Sequence, residues 1–581
     1  MRQFFENCKA FCRQVWHGLR QIKTLRLSHL GKVFSLMGHR EKILLLAFAG
    51  LATFTLYLSL TNFYYVHTKA APGFGGSYTE GFVGQPTYLN PLLAHQEPDL
   101  SLEQLIFSGL YNFNADGHLV PDLADGMPQI SADQKQYVIN LKHNVKWHNG
   151  KQFTADDVIF TVQALQDPGY KSPLRGAWQS TTVEKLSDYS VKFTTKDISG
   201  PFVYNLTLPI LPKNIWGKIG PENFLLNEAN LKAVGTGPYA IKEIKKQASG
   251  KIDQITLQAF GDFYQGQPRI GTIVVKFYDT PDDALNALHS REIQGFGLAA
   301  TGNSSLPADD NLQTFILPLP QYQIAFFNLN NPILADDSVR QALNLALDRR
   351  KLIADAYGGQ ALLPTSPLLM DDGLQKNPLT AQPDLAVAGK LLDAAGWTVD
   401  GQTGIRTKKG QALQLRLLTN DFAPDAKAAA SLVEQYKALD IKVDLTILST
   451  SQLTDTAIRP RNFDILLLPV KFMADPDPFL FWHSSQTKDP GFNLSGFSDQ
   501  TADKLIADAR TTTNQQDRRQ KYQQLDQLLD AKLPALLLDQ QEYIYQVSSE
   551  VKNIQLQSLY EPGQRFWDLR NWYITEKRVW K

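Results

Sequence analysis

The chain has 581 residues, 43% of them hydrophobic and 20% charged, with 58 basic and 58 acidic side chains. It is too long for one core and too apolar to be disordered, so two or three folded domains are expected. The zero net charge hides a segregation: residues 1–42 hold nine Lys and Arg against two Glu, which leaves a mildly acidic body with no basic surface for nucleic acid.

The basic segment 1–42 runs into Ile43–Val66, 24 residues without a formal charge. As a helix this run spans about 36 Å, enough to cross a hydrocarbon layer of about 30 Å. Tyr57, Phe63, Tyr64 and Tyr65 gather near its end as an interfacial belt. The basic flank predicts a cytoplasmic N-terminus and an extracytoplasmic body in a single-pass cell-membrane protein. A cleaved export signal is the competing reading, with Thr68–Ala70 as its weak cleavage site, but the apolar run exceeds a signal's usual length. Cys8 and Cys12 both precede the run, so no cysteine is placed to carry a lipid after it and no disulfide supports the body.

Residues 67–73 read as a linker. Beyond them strand-like runs ("YVINLKHNVKW", "KIDQITLQAF", "IGTIVVKFYD", "IKVDLTIL") alternate with helices, which predicts a mixed α/β body. "DDSVRQALNLALDRRKLIADAYGG" reads as one helix capped by Ser338 and stopped by Gly358. "PDLAVAGKLLDAAGW" reads as another, with Asp384 as N-cap and Gly396 just past its end.

Motifs for catalysis or cofactors are missing: there is no G-x-S-x-G, H-E-x-x-H, phosphate loop or paired C-x-x-C, so neither an enzyme nor a cofactor is expected. "GTGPY", Gly235–Tyr239, reads as a tight turn. Asp156 and Asp157 diverge on a helix, where Asp156 or Thr154 serves as cap. "MADPDPFLFWHSSQ", Met473–Gln486, concentrates two aspartates, a histidine and three aromatic rings. It suits a ligand wall better than a metal site, because Pro476 and Pro478 stiffen the segment and nothing fixes Asp475, Asp477 and His483 on one side.

Leu102–Leu165 closely resembles the signature region of family 5 extracellular solute-binding proteins, the oligopeptide- and dipeptide-binding components of ABC importers. The resemblance continues in order through "GTGPY", "FYQGQPRIGTIVVKFY", "AFFNLNNPILADDSVRQALNLALDRRKLI", "AGKLLDAAGW", "FDILLLPV", "GFNLSGFSDQTADKLIADAR" and "LPALLLDQQEYIY", about residues 76–575. It implies an α/β, two-lobed periplasmic-binding-protein-like fold of type II with an extra subdomain, here preceded by one transmembrane helix. Lobe I then comprises 74–110, 201–319 and 538–581, its subdomain 111–200, and lobe II 320–537. Crossover segments fall near "LPQYQIAFFNLN" and "ALLLDQQEYIY".

The resemblance also implies a peptide, or a similar solute, bound as an added strand against Glu80, Gly81 and Phe82 of lobe I and Lys471, Phe472 and Met473 of lobe II. Asn328 belongs to the same set. Asp475 becomes the partner of the ligand's ammonium, although D-P-D-P here is one residue shorter than the family's spacing between the two aspartates. Trp482 and His483 either stack on ligand side chains or anchor their loop. The implied partners are the permease and ATPase of an ABC transporter, with the membrane held through the N-terminal helix and the protein a monomer. A tethered sensor or chaperone on the same fold, and a binder of a metal complex or other non-peptide solute, are the alternatives.

Overall fold

The computed structural model describes residues 37–115, 117–299, 309–366, 368, 382–472 and 475–581. Cys8, Cys12 and most of the basic segment lie outside them. The strands used below are β1 (Thr68–Pro72), β2 (Ser77–Val83), β3 (Tyr239–Lys246), β4 (Ile252–Ala259), β5 (Thr272–Tyr278), β6 (Gly295–Ala299), β7 (Leu312–Phe327), β8 (Gln414–Asn420), β9 (Lys442–Leu448), β10 (Ile465–Lys471), β11 (Ala535–Ser548) and β12 (Glu576–Trp580). The helices are α1 (His39–His67), α2 (Glu97–Ile106), α3 (Arg349–Tyr357), α4 (Ala423–Lys437) and α5 (Gln515–Lys532).

The described chain divides into two compact units. One joins the chain up to Pro72 with Glu576–Lys581, and the other is Gly73–Thr575. In the first, α1 runs for 29 residues with none buried, and its length and apolar composition suffice to cross a bilayer. Its Thr53, Thr55 and Thr61 hydroxyls donate back to carbonyls three and four residues earlier, which removes their need for water. The expected linker is instead a strand: β1 pairs antiparallel with β12 from Thr68–Trp580 to Pro72–Glu576.

In the second unit, β2 to β11 form one ten-stranded sheet in the order β9-β8-β10-β7-β11-β6-β2-β5-β4-β3. Each half has parallel pairs at its centre, β8 with β9 and β10, and β2 with β5 and β6. The long antiparallel strands β7 and β11 join the halves. Leu317, Leu319, Tyr543, Tyr545 and Val547 of these two strands pack in a core with Tyr78, Trp147, Leu257 and Trp572. Ala325, Phe327, Leu536 and Leu538 pack in another, with Leu343, Leu352, Leu415 and Leu432. The outer face of the second half carries a third core around Tyr322, Phe326, Phe472 and Trp482. Alternation along two strands therefore feeds three cores. A separate four-stranded antiparallel sheet (Gln129–Ile130, Gln136–Asn140, Ser190–Thr195, Thr181–Ser187) carries the helix Ala155–Gln166.

Local signals hold where the deciding partner is near in sequence. Asp384 caps its helix through Val387 N–H at 2.9 Å, and Gly358 ends α3 with a positive φ of 59°. The continuous helix expected after Asp336 is two helices, Asp337–Leu345 and α3. Asp336, not Ser338, caps the first, and Asp348 interrupts the run by accepting from Lys351 N–H at 3.0 Å. Thr154, one of the two expected caps, is the N-cap of its helix, and Asp157 accepts its N–H at 3.0 Å.

"GTGP" is not a free tight turn. A Cβ at Gly237 would lie 2.6 Å from Ile106 C and 2.7 Å from Leu105 O, and one at Gly235 would collide with the Ile106 carbonyl. These glycines are needed for space, where the end of α2 and His148 close on the loop. Gly237→Ala should therefore overpack this junction and cost about 1–3 kcal/mol, read as a lower urea midpoint.

Candidate functional site

Glu80, Gly81 and Phe82 lie inside β2, whose two edges are occupied by β5 and β6. At Glu80 and Gly81 both edges of the strand are taken by ladder partners, which leaves no place beside them for an added peptide strand. Glu80 is fully buried and accepts from Arg565 Nε at 3.1 Å, from Tyr545 Oη at 3.1 Å and from Tyr78 Oη. Burial pushes its carboxyl upward, opposed by the Arg565 charge and these donors. Phe82 packs on Phe277 and Phe566, and a Cβ on Gly81 would meet Ile293 Cδ1 at 2.5 Å. This triplet is core, a correction to the expected ligand contact.

Asn328 is held elsewhere. Its Nδ2 donates to the carbonyls of Phe463 (2.8 Å) and Arg461 (3.2 Å). It thus sits at the opposite end of β10 from Lys471, about 20 Å of strand away. Phe472 is buried among Tyr322 and Phe481, with its N–H given to Pro320 O at 2.8 Å. Met473 lies outside the described residues. Lys471, at the end of β10, does face a polar setting.

Asp475 is 8% exposed and holds Arg518 of α5 through both carboxylate oxygens, one bond being 2.7 Å from Nη2. Arg518 also donates to Tyr522 Oη at 2.6 Å, and the Asp475 charge holds the guanidinium's pKa well above its usual range despite burial. The expected ammonium role gives way to a cation supplied by the chain itself. Asp477 pairs with Arg510 Nε at 3.0 Å and accepts Phe479 N–H at 3.1 Å. His483 shares its Nδ1 with Ser485 Oγ at 2.9 Å. Trp482 is buried against Phe326, the anchoring alternative of its two readings. Asp475, Asp477 and His483 thus turn to three different partners. Among the described residues no group of three or more His, Cys, Asp or Glu is arranged to hold a metal ion.

What Lys471 faces was not anticipated. Its Nζ lies 2.7 Å from Glu561, so an exposed ion pair links the second half of the sheet to the segment that follows β11. Behind it stand Glu97 and Glu103 of α2. Glu97 accepts from Tyr543 Oη at 3.1 Å and lies 3.7 Å from Arg565 Nη1. Burial raises its pKa, eased mainly by Arg565. Glu103 is pushed up to about 8, first by burial and then by Asp99 and Glu561, and its Oε2 has no hydrogen-bond partner among the described residues. The wall therefore gathers carboxyls that burial inclines to hold their protons, with the buried Arg565 and the tethered ammonium of Lys471 as the cations acting on Glu97. Local sequence offers no signal for it, because Glu97, Lys471 and Glu561 meet only through the fold. Gln104 and Phe107 also line a cavity of about 330 Å³, with Phe113, Asp122, Lys142 and Trp567. A cavity of that size falls in the range of small-molecule sites.

A profile described as bacterial extracellular solute-binding proteins, family 5 Middle, matches residues 118–491. The oligopeptide-binding protein AppA of Bacillus subtilis is 27% identical over 514 residues, which cover 87% of this chain and 93% of its own. Its solved structure in complex with a nonapeptide superposes with a TM-score of 0.63 over 87% of this chain and 100% of that one. NikZ from Campylobacter jejuni, solved in complex with Ni(L-His), shares the fold at 24% identity and a TM-score of 0.66, over 86% and 99% of the two chains.

Two outcomes follow from this geometry. Asp475→Ala should leave a buried guanidinium short of its counter-charge and cost about 3–5 kcal/mol of stability, with equal effects on free-amine and N-acetylated peptides in a binding assay. Glu103 has a folded pKa of about 8 against an ordinary 4.5, so its stabilising contribution is complete below 4.5 and is lost as pH rises towards 8. Glu103→Gln should flatten that part of the stability–pH curve and exceed the parent's stability at pH 8, read by urea unfolding at stepped pH.

Proposed function

The chain belongs to the bacterial extracellular solute-binding proteins of family 5, and from that premise we propose that it captures a peptide or peptide-like solute bearing a cationic group between two lobes and hands it to the permease and ATPase of an ABC importer. Members of this family bind and do not catalyse, and the chain has no nucleophile–base motif. The observation that carries the cationic preference is the Lys471–Glu561 pair laid over Glu97 and Glu103. A buried or half-buried carboxylate favours whatever cation can reach it. Next to the buried Arg565, the exposed cation beside these carboxyls is Lys471. A solute's ammonium or guanidinium takes its place, and Lys471 is released from Glu561. Relatives that take peptides, such as AppA of Bacillus subtilis with its nonapeptide, support the peptide class.

In this reading the lobes are 74–110, 201–319 and 538–575 against 320–537, with 111–200 as subdomain. The expected last stretch is shortened because Glu576–Lys581 belongs to the unit containing α1. Helix α1 serves as a membrane tether that keeps the receptor near its transporter, raising the effective concentration for delivery.

Isothermal titration of the full chain in detergent checks the proposal. Peptides with a free amine or a Lys or Arg side chain should bind at least about tenfold more tightly than N-acetylated acidic ones. Lys471→Ala should tighten cationic ligands further, and Glu561→Gln should weaken them. Equal affinity for cationic and acidic peptides, or no response to Lys471→Ala, would sink the cationic reading.

A further inference from the structure

The second half of the sheet contains an acidic pair that nothing in the solute-binding reading uses. Asp539, on β11, is fully buried, and neither carboxylate oxygen has a hydrogen-bond partner among the described residues. Its register partner on β7 is Gln323, 1% exposed, whose Oε1 is likewise unpartnered. Gln323 Nε2 donates to Asp425 Oδ1 at 2.8 Å, and Asn420 Nδ2 donates to Asp425 Oδ2 at 2.7 Å. Asp425 is itself 1% exposed, in the first turn of α4. Tyr357, at the end of α3, is influenced by both carboxylates and is hydrogen-bonded to Gln541. Side chains of β7, β8, β11, α3 and α4 thus surround this acidic pair, with the amide nitrogens of Gln323 and Asn420 turned to Asp425.

No basic side chain figures among the groups acting on either carboxylate: Asp539 responds to burial and Asp425, and Asp425 to burial, Asn420 and Gln323. Arg349 also packs against β11, but its guanidinium is given to Leu537 O at 2.8 Å and Asn344 Oδ1 at 3.1 Å. A buried carboxylate must be neutralised by a proton or a cation. A proton on Asp539 would occupy one of its oxygens and leave the other still without a donor. A cation uses oxygens whose lone pairs are free. Both oxygens of Asp539 and Oε1 of Gln323 meet that condition.

We propose that Asp539, Asp425 and Gln323 form a buried site for a hard metal cation, with calcium favoured. Carboxylate and amide oxygens suit hard ions, and softer transition metals prefer imidazole or thiolate. A divalent ion balances two carboxylates where sodium leaves one charge over. The site joins β7, β11 and α4 where the two long strands enter the second core, so an ion there ties the strands shared by both halves to a helix of one half.

The test uses the full chain in detergent, stripped with a chelator and titrated with calcium, magnesium or sodium chloride alone. Calorimetry should find one calcium per chain, and calcium should raise Tm with sodium and magnesium at least about tenfold less potent. Asp539→Asn should abolish the calcium response while melting, without metal, at or above the parent's Tm, since an amide carries no charge to balance. That second result establishes that the variant folds. Gln323→Ala should weaken calcium without abolishing it. A sodium response stronger than calcium would overturn the calcium assignment. No response to any of the three ions, or an unchanged response in Asp539→Asn, would overturn the site. A Tm that climbs as pH falls from 8, with no dependence on metal, would assign Asp539 a proton instead.

Discussion

Every part of the body depends on the pairing of β7 with β11. These two strands run through both halves of the sheet, and side chains alternating along them reach three hydrophobic cores. A strand pair of this length would ordinarily be stiff, because each residue adds ladder hydrogen bonds. The ladder is interrupted where the cores change over, between Pro318–Glu542 and Tyr322–Gln540. Pro318 and Pro320 contribute no N–H to it. The connection between the halves is therefore stiff within each half and thin between them, the mechanical form that a closing receptor requires.

Charge is divided along the same line. Two buried guanidiniums, Arg565 and Arg518, are matched by Glu80 and Asp475. Those pairs hold distant segments in register, and they leave little for a solute to compete with. Among the described residues, Glu103 Oε2, Asp99 Oδ2 and both oxygens of Asp539 are buried without a hydrogen-bond partner. In a low-dielectric interior a paired charge is structural and an unpaired one is an invitation. Glu80 and Asp475, which look most chemical in the sequence, are bound up in these pairs.

How far the sequence could be read depended on where each residue's partner lay. Ordered motifs over some 500 residues identified the family and its two-lobed fold, because such motifs encode packing that recurs along the whole chain. Asp384 and Gly358 were legible because a cap is decided within one helical turn. Asp348 was passed over within an apolar period that continues across it. Asp475 was misread because its partner stands 43 residues later, on another helix. Glu80 was expected from the resemblance to meet a ligand strand, whereas β5 and β6 flank it on both sides and Arg565 holds its carboxylate. The acidic wall at Glu97, Lys471 and Glu561 draws on both halves of the sheet, and no local pattern announces it.

The pairing of β1 with β12 carries a consequence for how the protein is made. The strand that follows α1 emerges early, and its partner is synthesised some 500 residues later. At ordinary elongation rates of about 5–20 residues per second, that interval is on the order of half a minute to two minutes. Throughout it, a strand with unsatisfied N–H and C=O groups stands beside an apolar helix, open to pairing with any passing edge. Lys69 offers a charge on that strand, and Pro72 ends it with a residue that lacks an N–H. Both discourage a wrong partner during biogenesis, before the correct one exists.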